Sequence, residues 1–149
     1  MSAPAVTGST LGAWLVKARP DGLPLAGLLD SGFAGLTSRC VRPTYRAELV
    51  EEGQPVLLWI SGGDREHPAG VYAAGHTTGA VSQDGPELSM PVRLEAVEPV
   101  LRSELLGHPL LRDLEVIRMA AGSNPSYLDK AQYRTLRQTF PQLHIGWNP

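Results

Sequence analysis

The sequence predicts an α+β domain built on a mixed, strongly bent sheet or small barrel of about five or six strands. Short apolar or alternating segments bounded by Gly and Pro turn signals recur along the chain, and helix-like stretches lie in the first crossover and near the end. No regular strand–helix alternation is present. The 149 residues suit one domain with its own core. We expect a flexible tail over 1–10, one domain over 11–141 and a C-terminal tail over 142–149.

The first half of the chain predicts three strands and a short helix. A strand over 13–20 ends at a Pro-Asp-Gly turn, and "LPLAGLLDSG" follows as a short helix or loop. Residues 38–43 predict a second strand. Residues 44–53 predict a helix that Thr44 can cap. The continuous apolar run "PVLLWIS" at 55–61 is typical of a strand buried on both faces.

The next stretch predicts two strands around a loop. Residues 70–79 form a strand in which Gly75 permits a bulge or a close backbone approach. Residues 80–89 are polar and predict a loop. Over 90–101, apolar Val92, Leu94 and Ala96 alternate with mostly charged residues, which predicts a strand with one face on the core.

The last third mixes helical and extended signals. Residues 103–114 favour a helix interrupted at a glycine, and 115–119 look strand-like. "AGSNPSYL" at 121–128 predicts a loop. A final helix over 129–140 begins with Asp129, which has the spacing of a capping box with the glutamine three residues later.

Composition excludes several classes of protein. The hydrophobic fraction is 42% and the charged fraction 19%, as in ordinary globular domains. No apolar run approaches the ~20 residues that span a bilayer, so we expect no membrane partner. The start has no basic segment followed by an apolar one, so a secretory signal is not predicted. A single cysteine fits a cytoplasmic location.

Catalytic and metal-binding motifs are missing from the sequence. There is no nucleophile elbow and no phosphate-binding loop, and the four histidines lack the i, i+4 spacing of a zinc helix. Cys40, between Arg39 and Arg42, could have a lowered pKa, but a buried structural cysteine is the more common case. We therefore predict no enzyme activity, no metal and no cofactor.

A basic segment stands out in a chain whose net charge is −2. Residues 31–47 contain Arg39, Arg42 and Arg46 and no acid. This pattern fits either a basic patch on a near-neutral body or three solvated arginines.

Three motifs in order give a family resemblance. The first is "WLVKARP", with Trp14, Leu15, Lys17 and Pro20. The second is "CVRPTYRAEL", and the third is "GQPVLLWIS" followed by "PAGVYAAG". Together they resemble the EVE domain, a member of the PUA-like superfamily related to the YTH reader domains. The resemblance covers about residues 13–140.

The resemblance implies an incomplete β-barrel flanked by helices, with a pocket at the strand mouths. In the family this pocket is thought to accept a modified base flipped out of DNA or RNA. Such a base needs aromatic faces for stacking and hydrogen bonds to its polar edge. The phosphates need a basic rim. The resemblance thus implies a non-catalytic nucleic-acid-binding module, and it leaves the oligomeric state open.

Two tryptophans and a serine are the candidate pocket walls. Trp59 is either a wall or floor of the pocket or plain core. Trp14 is equally a pocket-edge or a core residue. Ser61 would bond the base or a phosphate, or else only start a turn.

Five further residues complete the candidate site. Lys17, at the position where the family has a lysine, and Arg19 leave the first strand at its mouth, and Arg42 could contact phosphate. Tyr45 could stack on a base or pack the helix. Asn124 could read a base edge bidentately, although a turn-forming role before proline is the simpler interpretation.

Two other functions remain open. PUA-like relatives of the ASCH type look like nucleases or nucleoside amidohydrolases, and here Lys17 with Glu48 or Asp64 is the candidate pair. A degenerate domain that binds only protein would instead have a filled pocket and an exposed apolar patch.

Overall fold

One mixed seven-stranded sheet organises the chain in the computed structural model, which describes residues 6–20, 25–61 and 66–144. The strands are β1 (Leu11–Ala18), β2 (Ser38–Val41), β3 (Pro55–Ile60), β4 (Gly70–Thr77), β5 (Ser82–Asp84), β6 (Glu87–Leu101) and β7 (Ser126–Asp129). The helices are α1 (Leu25–Asp30), α2 (Tyr45–Glu48), α3 (Arg102–Leu106), α4 (Glu115–Arg118) and α5 (Lys130–Thr139). Leu111–Asp113 and Pro141–Leu143 form 3₁₀ turns.

The strand order is β2-β6-β4-β3-β1-β7, and β5 pairs with β6 outside that path. β1 and β3 are parallel, whereas every other pair is antiparallel. The sheet curls into a half-barrel, and the short helices flank it. The predicted α+β class and incomplete barrel are confirmed.

The sheet buries both of its faces, and β3 shows this directly. Val56, Leu58 and Ile60 join one core cluster, while Leu57 and Trp59 join a second cluster on the other face. Their alternation follows from the two-residue period of a strand. The prediction of a strand buried on both sides is confirmed here.

Close backbone packing explains the glycine in the middle of β4. A Cβ on Gly75 would lie 1.8 Å from the carbonyl oxygen of Arg93 on β6. No other residue fits that separation, so the predicted close approach is confirmed. The strand-pair register shifts elsewhere, between Val71 and Ala73. Opposite that shift, the predicted alternation of buried and exposed residues in β6 ends. Val92 and Leu94 are buried, whereas Ala96 is exposed.

Three other predictions about local structure were wrong. The strand-like stretch at 115–119 is helix α4, in which the N–H of Met119 bonds the carbonyl of Glu115 at 2.8 Å. Its β-branched residues favour strands only where a sheet edge is available to pair with. The predicted loop over 121–128 contains most of β7, and the loop over 80–89 contains the β5–β6 hairpin, which turns at Gly85 with φ 61°.

The helix-end predictions had mixed outcomes. Asp129 caps α5, because its Oδ1 accepts from the N–H of Gln132 at 2.8 Å and Gln132 Oε1 accepts from the N–H of Asp129 at 3.0 Å. This is the predicted capping box. In contrast, α2 is only one turn long and the Thr44 side chain makes no capping bond.

Both predicted tails overlap packed structure. Val6 is buried and its N–H bonds the hydroxyl of Tyr45, and Leu143 is buried in the second cluster. Residues 1–5 and 145–149 lie outside the described residues, as do the turn after 20 and the candidate Asp64.

Candidate functional site

The two tryptophans do not form one pocket. Trp14 is fully buried in the first core cluster, where its Nε1 donates to Gln54 Oε1 at 2.8 Å. Trp59 is buried in the second cluster, on the opposite face of the sheet. Both are therefore core residues, and the alternative of aromatic pocket walls is wrong for this pair. Neither ring has the exposed face that stacking on a base requires.

The strand ends next to the tryptophans carry Ser61 and Arg19. Ser61 directs both its N–H and its hydroxyl to the carbonyl of Ala18, at 2.9 and 3.3 Å, so it joins the ends of β3 and β1. Arg19 is exposed. Neither residue lines the cavities described below.

Asn124 holds the loop before β7 against β1. Its Nδ2 donates to the carbonyl of Lys17 at 3.0 Å, and its Oδ1 accepts from the N–H of Lys17 at 2.8 Å. β7 already pairs with β1 up to Leu15 and Ser126, so the amide continues the ladder beyond the last backbone pair. The amide is used bidentately, but on the protein's own strand, so the predicted role of Asn124 as a reader of a base edge is wrong.

The side chain of Lys17 is buried beneath the same loop. Its Nζ donates to the carbonyls of Ala120, at 3.4 Å, and Gly122. Burial lowers the pKa of Lys17, an effect that the charge of Glu115 opposes and the charge of Arg46 adds to. Lys17 was predicted to leave the first strand at its mouth as a candidate contact, but its side chain is buried. Its ammonium group acts as an internal anchor for the loop.

Arg46 and Glu115 form a bidentate ion pair. The two guanidinium nitrogens lie 2.7 and 2.9 Å from the two carboxylate oxygens, and Arg46 also donates to the carbonyl of Pro125 at 2.9 Å. The guanidinium lies over the ring of Tyr127, 4.9 Å from its centroid. Hydrogen bonding to Glu115 raises the pKa of Arg46. The interpretation of Arg46 as a solvated arginine is wrong, because its side chain is only 22% exposed and is paired with Glu115.

A cavity of about 350 Å³ opens above this ion pair. We call it the Tyr45 cavity, and it is lined by Thr44, Tyr45, Arg46, Glu115, Met119, Gly122, Ser123, Asn124, Pro125 and Ser126. Tyr45 and Met119 are 47% and 56% exposed, among the most exposed large apolar side chains of the described residues. The volume of the Tyr45 cavity falls within the range of ~300–1,000 Å³ that is typical of small-ligand pockets.

A second cavity, of about 490 Å³, adjoins the first and shares Ser123 and Asn124 with it. We call it the Arg42 cavity, since the exposed Arg42 lines it together with Cys40 and Glu87. Cys40 is exposed, and its Sγ lies 3.0 Å from a carboxylate oxygen of Glu87. The expectation of a buried cysteine is wrong, because Cys40 points away from the core on edge strand β2.

The structure thus brings together part of the predicted site. Arg42, Tyr45 and Asn124 line the two adjoining cavities, and Lys17 lies beneath their shared loop. Sequence reasoning missed Glu115 and Met119, because it placed both on a strand. Only the helical i, i+4 spacing of these two residues could have indicated that they share a face.

The cavities offer an apolar wall, a flat charged floor and a basic rim. The bidentate pair uses both carboxylate oxygens of Glu115, so Arg46 and Glu115 present a planar charged surface to the cavity. The charge of Lys17 lies near that of Glu115. Lys17 therefore does not form the candidate pair with Glu48 that the sequence suggested. Within 6–20, 25–61 and 66–144, no three His, Cys, Asp or Glu side chains are grouped as metal ligands.

Comparisons with known proteins identify the fold. No family model matches the chain, and a search of curated proteins finds no match. Among solved structures it resembles protein Rpa0253 from Rhodopseudomonas palustris, with 13% identity over 93% of this chain and 99% of that one and a TM-score of 0.67. A hypothetical protein from Leishmania major (15% identity, 89% and 96% covered, TM-score 0.66) and Atu2648 from Agrobacterium tumefaciens (12%, 92% and 98%, 0.66) are similar.

These likenesses establish the class of protein as a half-barrel α+β domain, and identities this low show the fold alone. Among the described residues, no helix is both long and apolar enough to cross a bilayer.

Proposed function

We propose that this domain is a non-catalytic nucleic-acid-binding module that accepts a single modified base, for example a methylated one, in the Tyr45 cavity. The resemblance to EVE domains suggests this class of ligand, and the volume and lining of the Tyr45 cavity support its choice as the binding site. The aromatic surface is Tyr45, not the two tryptophans.

The single observation that carries the proposal is the exposure of Tyr45 beside Met119 above a planar ion pair. A half-exposed tyrosine ring on a cavity wall offers a face on which a base can stack, worth ~1–3 kcal/mol per base. Met119 adds a polarizable apolar side chain suited to a methyl group. The Arg46–Glu115 plane and residues 122–125 line the rest of the cavity.

Arg42 supplies the phosphate contact. Its side chain is exposed on the wall of the adjoining cavity, and its N–H bonds the carbonyl of Asn124 at 3.0 Å. The backbone of Arg42 is therefore fixed against the loop that both cavities share. A cation held there can meet the phosphate next to a base in the Tyr45 cavity, and phosphate contacts set register without reading sequence.

Fluorescence anisotropy tests the proposal. Short single- and double-stranded DNA and RNA probes would carry plain, methylated or hydroxymethylated cytosine, or methylated adenine. We expect tighter binding of one modified probe. Tyr45→Ala should weaken that probe by about 5- to 150-fold, the equivalent of ~1–3 kcal/mol of stacking.

Two further variants make this result specific. Tyr45→Phe keeps the ring and loses only the hydroxyl that accepts from the N–H of Val6, so it should retain the preference for the modified probe. Leu110→Ala truncates an apolar side chain that is 37% exposed and does not line either cavity, so it should bind as the wild type does. Equal affinity of a folded wild type for all probes, plain and modified, would exclude the proposed function.

A further inference from the structure

A second basic surface lies on α5, away from both cavities. Lys130, Arg134 and Arg137 recur at i, i+4 and i+7, which places them on one face of the helix. We call these three residues the α5 basic stripe. Since the whole chain has a net charge of −2, the stripe is a local concentration of charge and not a reflection of overall composition.

The stripe lines a concave surface. Its three side chains, with Tyr133 and His144, line a cavity of about 510 Å³ beside the start of β1. No carboxylate lines this cavity among the described residues. The nearest acid in sequence, Asp129, uses its Oδ1 to cap α5 through the N–H of Gln132. The charged residues that line the concavity, Lys130, Arg134 and Arg137, are therefore all positive, and the other polar residues of its lining are Tyr133, Gln138 and His144.

Arg137 is held with unused hydrogen-bonding capacity. Its guanidinium lies over the ring of Tyr133, 5.3 Å from the centroid, and none of the described residues accepts a hydrogen bond from its buried Nε. A buried donor without a partner is costly, and an anionic oxygen is the acceptor that suits guanidinium best. Basic side chains interleaved with an aromatic ring are typical of surfaces that follow a nucleic-acid strand.

We propose that the α5 basic stripe is a second contact surface for the phosphate backbone of the nucleic acid whose base enters the Tyr45 cavity, an inference that rests on the proposed function. The stripe begins where β7 ends, and the Tyr45 cavity includes the first residue of β7. The four residues of β7 therefore separate the stripe from the Tyr45 cavity, and a strand rises ~3.3 Å per residue. The stripe supplies affinity for any sequence, and the Tyr45 cavity supplies the preference for one base.

Salt-dependent binding tests the inference. The full-length double variant Lys130→Gln/Arg134→Gln removes two exposed charges, and Arg102→Gln/Arg112→Gln removes two exposed charges elsewhere. Each lost phosphate contact lowers the slope of log K against log [salt] by ~0.7–0.9. We expect a decrease of ~1.4–1.8 for the α5 variant and no decrease for the control, with plain and modified oligonucleotides alike.

The outcomes separate the two proposals. If the α5 variant binds with the wild-type slope while the modified base is still preferred, the inference is wrong and the proposed function stands. If the slope decreases but plain and modified probes bind equally, the stripe binds phosphate and the base-reading function fails. If the folded wild type binds no oligonucleotide, both are wrong.

Discussion

The side-chain amide of Asn124 bonds both the N–H and the carbonyl of Lys17, although 107 residues separate them in sequence. Through this contact one loop is fixed against β1. The same loop provides the carbonyls that bind Lys17 Nζ and the shared wall of both cavities. The position of the wall that the two cavities share therefore depends on Asn124.

Removing the Asn124 amide should destabilise the domain. Asn124→Ala leaves the N–H of Lys17 without its acceptor in a partly buried position, and unmet donors cost about 1–3 kcal/mol. Urea unfolding should show a loss of that size. Gln138→Ala truncates an exposed amide on α5 and should change stability by less than about 0.5 kcal/mol. Similar stabilities for the two variants would show that the Asn124 contact is not a structural one.

The buried ammonium group of Lys17 should make stability depend on pH. Burial lowers the pKa of Lys17 in the folded protein. Between that lowered pKa and the unfolded value of about 10.4, the unfolded chain therefore binds more protons than the folded one. Stability must then rise as pH increases from the folded-state pKa towards that value, and the gain is lost again as pH falls. Lys17→Met lacks this contribution.

Urea unfolding of the wild type and Lys17→Met across the alkaline range measures the effect. The difference in unfolding free energy should shift in favour of the wild type as pH rises. Burial raises the pKa of Tyr127 and Tyr133, so their contribution lowers stability as pH rises above about 10, but both proteins carry these tyrosines. Parallel curves for the two proteins would contradict a buried charge at Lys17.

The sequence predicted features that depend on neighbouring residues. The apolar run of β3 and the capping box of Asp129 are local patterns, and the structure confirms both. Local patterns also misled, because the Val-Ile pair of α4 has strand propensity and no strand partner. The tryptophans of β1 and β3 belong to strongly apolar strands, whose side chains point to the core on both faces.

The candidate site could not be predicted in this way, because its contacts join distant segments. Arg46 and Glu115 are 69 residues apart, and no periodicity connects them. Tyr45 was placed at the site through the family resemblance, and Asn124 through the hydrogen-bonding chemistry of an amide in a late loop, rather than through any periodic pattern. Which side chains of the site pair with each other, and which are buried or exposed, is decided only when β7 and α4 pack beside α2.

A methyl group at Gly75 should disrupt the sheet. Gly75→Ala places a Cβ 1.8 Å from a carbonyl oxygen of the neighbouring strand, so β4 and β6 must separate locally. We expect a loss of more than about 3 kcal/mol in urea unfolding, or failure to fold. The matched change Gly27→Ala adds a methyl with nothing within 4 Å in helix α1, and it should stabilise by about 0.4–1 kcal/mol. A mild effect at Gly75 would mean that the two strands are not packed this closely.

The ion pair beneath the Tyr45 cavity should show strong coupling between its partners. The side chains of Arg46 and Glu115 are only 22% and 15% exposed. Glu115→Leu therefore leaves Arg46 partly buried without its anion and next to the charge of Lys17, and such losses reach about 3–5 kcal/mol for fully buried pairs. Arg46→Met should cost less, because Lys17 still balances part of the charge of Glu115.

A double-mutant cycle with urea unfolding separates the pair from its surroundings. The double variant Arg46→Met/Glu115→Leu leaves no unpaired charge of its own, so its loss should be smaller than the sum of the single losses by at least about 1 kcal/mol. Additive losses would mean that the two groups do not stabilise each other. Because the pair forms the floor of the cavity, Glu115→Leu should also weaken binding of the preferred oligonucleotide. The double variant should not restore that binding, since its apolar floor lacks the fixed planar surface of the ion pair.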